Sequence, residues 1–228
     1  MKADSPPDFF AWDLKAFVRS VFGPPTYEAP VEGEPDWTVW QEAFRTTLVP
    51  GEDHDPELLL SHSAAFCRSA GTWMKPYSGK AFLNGSFQIF NHLTQVGEAL
   101  FEQPVLFEVK TAFAASIPEL YPQLAHWKDP DAEMALFGLW DSLLYGFKSG
   151  MLDLNNSELR NLQEAFLQSL SRQLDMDFEL AQDSALHGLN HLAHPQGSHL
   201  ISAWIERHPK LDDTRKGYAL QCAAGKAL

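Results

Sequence analysis

Prolines that follow helix-capping residues divide this chain into pieces of helix length. Asp55-Pro56 and Asp129-Pro130 each place a capping carboxylate before a proline at the first helical position, where the missing N–H is not needed. Gly150 marks a helix end, because glycine readily adopts the left-handed conformation that often follows the last turn. Stretches long enough for several helical turns lie between such boundaries, so this punctuation predicts a chain made mainly of helices.

The residues between these boundaries also favour helix over strand. The chain holds 30 Leu and 25 Ala but only 8 Val, 4 Ile and 8 Thr, and strands favour the stiff β-branched side chains. Apolar residues recur at helical spacing, as in the stripe Leu159, Leu162, Phe166 and Leu170. We predict about nine to ten helices, with the longer segments over residues 9–22, 36–49, 56–70, 86–102, 104–116, 130–149, 157–174, 177–194, 198–208 and 213–225, and a loop over 71–85.

These segments predict an all-α fold, either an irregular multi-helix bundle or a short HEAT-like α-solenoid. In the last third of the chain the predicted helix starts imply about 36–41 residues per helix pair, within the range of HEAT-type repeats, but a compact bundle gives similar spacing. We expect a single all-α domain over residues 1–228, which could divide into N-terminal helices with long loops over 1–103 and a HEAT-like helical part over 104–228. The segment 130–149 carries apolar residues round a wide arc, which predicts a central helix.

The formal net charge of −13 is spread along the whole chain. Nucleic acids and anionic membrane surfaces both attract basic side chains, so neither partner is expected. A basic protein partner is favoured by long-range attraction, although solubility alone also accounts for such a charge. Glu52, Asp53 and Asp55 form an acidic segment that is either a partner-binding loop or a capped, solvated turn.

The expected location is the cytoplasm. The N-terminal residues lack the apolar core of a signal peptide, and no stretch approaches the ~18 apolar residues that cross a membrane. Cys67 and Cys222 cannot form a disulfide framework, and both lie in apolar surroundings. The sequence also lacks a Gly-x-Ser-x-Gly nucleophile elbow and a phosphate-binding loop, so an enzyme is the less favoured interpretation.

Histidines concentrate in one predicted helix near the C-terminal end. On a helical projection His187, His191, His194 and Asp183 lie within about 80° of one another, opposite the apolar stripe of that helix. Imidazole and carboxylate groups on one face are a candidate ligand set for zinc or another divalent ion. Gly188 stands where a zincin helix has its glutamate base, so zincin-type hydrolysis is excluded.

Two other interpretations of this histidine face stay open. Gly188 has no side chain and lets a neighbouring helix approach closely, so His187 and His191 can be packing residues that hydrogen-bond to the next helix. Alternatively, the imidazoles line a groove for a ligand or a protein partner. No cofactor is expected beyond a divalent metal ion at this face.

The C-terminal part of the chain shows a family resemblance. It contains the run Ser184-Ala-Leu-His-Gly-Leu-Asn-His191-Leu, the amphipathic segment Ile201-Ser-Ala-Trp204-Ile and the run Tyr218-Ala-Leu-Gln-Cys-Ala-Ala-Gly225. These residues resemble the tail of HEAT-like helical proteins of unknown function in bacteria. The resemblance implies a helical-repeat architecture and a bacterial source, and it implies no activity.

The all-α fold, the spread acidity and the missing catalytic motifs predict a non-enzymatic protein-binding module, because stacked helices present extended surfaces to protein partners. One version is an inhibitor or immunity-type protein that neutralises a basic bacterial toxin. The alternative is a metal-binding enzyme or sensor that uses the face of His187, His191 and His194.

Overall fold

The computed structural model describes residues 14–22 and 55–227 of the chain. Within these two ranges it has eleven α-helices, one 3-10 helix and no β-strand. The all-α multi-helix bundle predicted from the sequence is therefore confirmed. The predicted helix over 36–49 and the acidic residues Glu52 and Asp53 lie outside the described residues.

The helices are numbered in chain order. The first group contains α1 (Leu14–Phe22), α2 (Pro56–Trp73), α3 (Gly79–Ile89), α4 (Gln95–Phe101), α5 (Phe107–Ser116), the 3-10 helix η1 (Ile117–Glu119) and α6 (Leu120–Leu124). The second group contains α7 (Pro130–Lys148), α8 (Ser157–Leu174), α9 (Glu179–Leu192), α10 (Gly197–Arg207) and α11 (Asp213–Ala223). None of these described helices has the length and apolar character needed to cross a membrane.

The predicted capping residues begin α2 and α7. Asp55 Oδ1 accepts the backbone N–H of Glu57 at 3.0 Å, and Asp129 Oδ1 accepts that of Asp131 at the same distance of 3.0 Å. Each cap of this kind stabilises its helix by about 1 kcal/mol. Gly150 follows the last turn of α7 with a φ of 73°, the left-handed conformation that its position predicts.

One predicted stretch is wrong. The sequence predicts a loop over 71–85 and one helix over 86–102, whereas the chain forms α3 and α4 with a break between them. Ser78 begins α3 early because its Oγ accepts a backbone N–H of the first turn at 3.2 Å. The helix breaks at Asn91 because its side-chain oxygen accepts the backbone N–H of Leu93 at 2.9 Å. This side-chain turn competes with the hydrogen bonds that would continue the helix.

Helix α9 is enclosed by its neighbours. It packs against α7, α8, α10 and α11, and every residue from Ala181 to Leu192 except Asp183 is buried. Gly188 permits the contact with α7, because a Cβ atom built there would stand 2.9 Å from the Cβ of Trp140. The close helix approach predicted at Gly188 is therefore confirmed.

Helix α7 lies between α3 and α9, as its wide apolar arc predicts. Trp140 of α7 is fully buried, and its indole N–H donates to Gln173 Oε1 of α8 at 2.9 Å. This bond satisfies a polar group that would otherwise be costly to bury. The contact region between α7, α8 and α9 is thus both tightly packed and hydrogen-bonded.

Helices α10 and α11 pack together, and both contact α9. Arg215 of α11 makes the main polar contact, with Nε 2.7 Å from Asp183 Oδ1 and Nη2 2.7 Å from Gln182 Oε1. After α11, the carbonyl oxygen of Ala227 accepts the side-chain N–H of Asn190 at 3.1 Å. These bonds hold α11 and the residues that follow it along the length of α9.

Candidate functional site

Three side chains form a cluster where α7 meets α9. His187 and His191 stand one turn apart on α9, and Asp141 faces them from α7. Because Gly188 packs directly against Trp140, the residue that precedes Asp141, the two helices lie close enough for these side chains to meet. The three candidate ligand atoms lie within 4.8 Å of one another, and the described part of the chain contains no second group of this kind.

The cluster is buried on the histidine side and open on the carboxylate side. Asp141 Oδ1 is 3.1 Å from His191 Nε2, and Asp141 Oδ2 is 4.0 Å from His187 Nε2. The two imidazole rings lie 4.7 Å apart between centroids and are tilted by 55°. His187 and His191 are 3% and 7% exposed, whereas the Asp141 side chain is 45% exposed, so solvent reaches the cluster along the carboxylate.

His191 is the unusual member of the cluster. Both of its ring nitrogens are buried, and neither makes a hydrogen bond. Nε2 lies close to Asp141 Oδ1 but is not aligned with it as a hydrogen bond requires. Buried polar atoms without a partner are rare in folded proteins and cost about 1–3 kcal/mol each. A metal ion shared with Asp141 Oδ1 would supply the partner that His191 Nε2 lacks.

The surroundings also set the charges of the cluster. Burial lowers the pKa of His191 to about 4, although the nearby Asp141 carboxylate acts in the opposite direction. Interaction with His187 is the largest cause of the lowered pKa of Asp141, and His191 adds to it. At pH 7 His191 is therefore neutral and Asp141 is anionic, which are the protonation states that metal ligation requires.

The other ring nitrogen of His187 has a partner on α11. His187 Nδ1 lies 2.9 Å from the hydroxyl oxygen of Tyr218. The ring of Phe137 lies 5.0 Å from that of His187 and 6.4 Å from that of Tyr218, between centroids. Burial raises the pKa of Tyr218, so its phenol keeps its proton at neutral pH. His187 is thus held from its Nδ1 side while its Nε2 faces the carboxylate.

Two of the four predicted metal ligands lie elsewhere. Asp183 is held by Arg215, with 2.7 Å between Oδ1 and Nε. His194 pairs with Glu164 instead, at 3.4 Å between Nε2 and Oε2. Ala193 adopts the left-handed conformation with a φ of 51° and ends α9, so His194 no longer follows the helical projection on which the prediction was based.

The histidine side of α9 is not a polar surface, contrary to the pattern in the sequence. Both His187 and His191 are buried, because α7 covers one part of that side and Tyr218 of α11 covers another. His187 makes the hydrogen bond to a neighbouring helix that the packing interpretation predicts. His191 makes none, so packing alone accounts for only one of the two histidines.

Sequence reasoning missed Asp141 and Tyr218. Asp141 is the only charged residue between Glu133 and Lys148, in a segment that is otherwise apolar or uncharged. An isolated charge on a helix with a wide apolar arc needs a partner, and this was a usable signal. Tyr218 carried no such signal, because its contact with the cluster depends on how α11 docks against α9.

Two imidazoles and one carboxylate are a common ligand set for transition metals. Two donors at 2.0–2.1 Å from one ion in a tetrahedral site are about 3.3 Å apart. The 3.1 Å contact between Asp141 and His191 already has that spacing. The 4.0 Å contact between Asp141 and His187 needs to shorten by less than about 1 Å, and the partly exposed carboxylate gives room for that movement.

Comparison of the chain with protein-family models, with curated proteins and with solved structures finds no match.

Proposed function

We propose that this protein binds a divalent transition metal ion of the zinc class through Asp141, His187 and His191. The observation that carries the proposal is the buried, unpartnered Nε2 atom of His191, which lies 3.1 Å from Asp141 Oδ1. An ion between these atoms converts an unfavourable buried group into a ligand. The binding free energy of the metal then offsets the cost of burying the imidazole.

The donor atoms select the class of metal. Imidazole nitrogen suits zinc, copper, nickel and iron, whereas calcium and magnesium take oxygen ligands almost exclusively. A site with two imidazoles and one carboxylate therefore favours a transition metal over the hard cations. Three protein ligands also leave at least one coordination position for water or an added ligand.

Solvent reaches the cluster on the side of Asp141. Asp141 is the most exposed of the three ligands, and Gly138, one turn earlier on α7, has open space where a side chain would be. A metal held here is in contact with the surrounding solution through this side. This geometry suits reversible metal binding, as in a sensor, and it allows a metal-bound water.

Zinc titration of the purified protein tests the proposal. Protein stripped with a chelator is titrated with zinc by calorimetry, and the metal content after dialysis is measured by elemental analysis. We expect one ion per chain in the wild type and none in the His187→Ala/His191→Ala variant. The His126→Ala/His199→Ala variant is the matched control, because it removes two exposed histidines from elsewhere on the chain.

Two results of the titration decide whether the metal site exists. Stoichiometric binding that survives in the control and is lost in the site variant supports the metal site. A wild type that binds no zinc, cobalt or nickel more tightly than the site variant refutes it. Circular dichroism of both variants establishes that the helices are retained.

The predicted basic protein partner is a separate hypothesis. It is supported by the net charge of −13, which favours a basic, salt-sensitive partner of the inhibitor or immunity type. Of the predicted partner-binding residues, Asp55 caps α2, and this role accounts for its carboxylate without a partner. The partner stays a prediction, and affinity capture at low and high salt tests it.

A further inference from the structure

Tyr218 contacts the cluster of Asp141, His187 and His191 from a third helix. It belongs to α11, whereas the cluster residues belong to α7 and α9. Its hydroxyl oxygen lies 2.9 Å from His187 Nδ1, on the opposite side of the ring from the Nε2 atom that faces Asp141. Histidines that bind metals through one ring nitrogen usually donate the N–H of the other nitrogen to an oxygen atom.

We infer that Tyr218 is the positioning residue of the metal site: its hydroxyl oxygen accepts the Nδ1–H of His187 and thereby presents the lone pair of Nε2 to the ion. This inference rests on the proposed metal-binding function. It adds that the C-terminal helix, which supplies no ligand, sets the affinity of the site.

The position of Tyr218 is fixed by packing. Its ring lies 6.4 Å from that of Phe137, which in turn lies 5.0 Å from His187. Arg215, almost one turn earlier on α11, is bound to Asp183 of α9 at 2.7 Å. The hydroxyl is therefore held in place relative to α9 before any metal binds, and the His187 ring needs little further ordering.

The two histidines of the cluster differ in this respect. His187 has an outer partner that selects its tautomer, whereas neither nitrogen of His191 has a hydrogen-bond partner. Removal of the Tyr218 hydroxyl is therefore expected to change how His187 binds the ion and to leave the His191 contacts intact. A purely structural role for Tyr218 would instead weaken folding without changing metal coordination.

The Tyr218→Phe variant tests this claim because it keeps the ring and removes only the hydroxyl. We expect zinc affinity to fall by about 10- to 100-fold, the usual effect of losing an outer-shell partner. The matched control is Tyr121→Phe, which removes a fully buried hydroxyl that bonds to the Leu136 carbonyl at 2.9 Å and touches no cluster residue. That variant is expected to lose folding stability while its zinc affinity stays within about twofold of wild type.

Spectroscopy supplies a readout that a structural role would not change. The absorption bands of the cobalt-substituted protein are expected to shift in Tyr218→Phe and to stay unchanged in Tyr121→Phe. In the zinc-loaded wild type, long-range ¹H–¹⁵N spectra are expected to show His187 protonated at Nδ1 and coordinated through Nε2. This measurement does not depend on whether Tyr218→Phe folds.

The measurements on the wild type and on Tyr218→Phe distinguish the absence of a metal site from a metal site that does not depend on Tyr218. A wild type without metal binding removes the site itself. A wild type that binds zinc, with His187 coordinated through Nδ1 or with unchanged affinity and cobalt bands in a folded Tyr218→Phe variant, keeps the site and overturns the role of Tyr218.

Discussion

Gly188 of α9 lies directly against Trp140 of α7: a Cβ atom at residue 188 would stand 2.9 Å from the Cβ of Trp140 and 2.6 Å from a methyl carbon of Leu170. This contact sets the spacing of the two helices that carry the cluster, because Asp141 follows Trp140 and His187 precedes Gly188. The geometry of the cluster therefore depends on a residue that has no side chain.

Gly188→Ala is expected to destabilise the protein. The added methyl group collides with Trp140 and Leu170, and overpacking of this kind costs about 1–3 kcal/mol. Replacing glycine by alanine in a helix gains about 1 kcal/mol in helix propensity, which offsets only part of this cost. Urea unfolding measures the change. Gly138→Ala on α7 is the control: nothing lies within 4 Å of its added Cβ, so a small increase in stability is expected there. Equal effects of the two substitutions would contradict the close contact.

Asp141→Asn is expected to abolish or strongly weaken zinc binding. The amide has the size of the carboxylate but no charge, and it is a poor ligand. The loss should exceed the roughly 10- to 100-fold that removal of an outer-shell partner costs. Calorimetric titration measures it. Asp175→Asn, which alters an exposed carboxylate paired with Arg207, should keep wild-type affinity, and a similar loss in both variants would argue against a direct role for Asp141.

The metal-free protein is expected to lose stability as the pH falls from about 6.5 towards 4. Burial lowers the pKa of His191 from 6.5 to about 4, so the unfolded chain takes up a proton in this range while the folded chain does not. The stability is then highest above pH 6.5 and falls by at most about 1.4 kcal/mol per pH unit for one such group. The pKa of Asp141 is lowered in the folded protein, so its ionised carboxylate also stabilises the fold. That stabilisation is lost only as the pH falls below about 3.8, which lies under the range in which His191 acts.

Urea unfolding at several pH values, in the presence of a chelator, measures this slope. His191→Asn removes the titrating imidazole and should flatten the curve between pH 6.5 and pH 4. An equally steep curve in that variant would assign the pH dependence to another group.

Lys110 and Glu158 form an ion pair whose effect on stability is expected to be strongly non-additive. The Lys110 side chain is almost fully buried, and its Nζ lies 2.7 Å from Glu158 Oε1 and 3.1 Å from the carbonyl oxygen of Gln103. Glu158→Gln leaves a buried ammonium without a carboxylate and should cost about 1–3 kcal/mol, since the half-exposed glutamate is partly screened by solvent. Adding Lys110→Met should restore part of the loss. Unfolding free energies that simply add would show that the pair is not coupled.

Much of the fold was predictable because its signals are local. The cap-proline pairs at Asp55 and Asp129 and the glycine at 150 act on the adjacent turn, so the sequence shows them directly. The start of α3 and the break after it were missed because both depend on single polar side chains, Ser78 and Asn91, in a stretch with the composition of a loop.

The site was predictable only in part. The spacing of His187 and His191 on one helix is a local property and was visible in the sequence. Their partner Asp141 lies on α7, which close packing at Gly188 brings to the histidines, whereas Asp183 is held by Arg215 of α11. Helical projection cannot show which neighbour covers a face.

Anomalous diffraction tests the metal site most directly. Crystals of the protein grown with one equivalent of zinc, measured at energies on either side of the zinc absorption edge, are expected to show a single strong peak within about 2.0–2.2 Å of Asp141, His187 Nε2 and His191 Nε2. A peak at any other group of side chains, or no peak between these three residues, would contradict the proposed function.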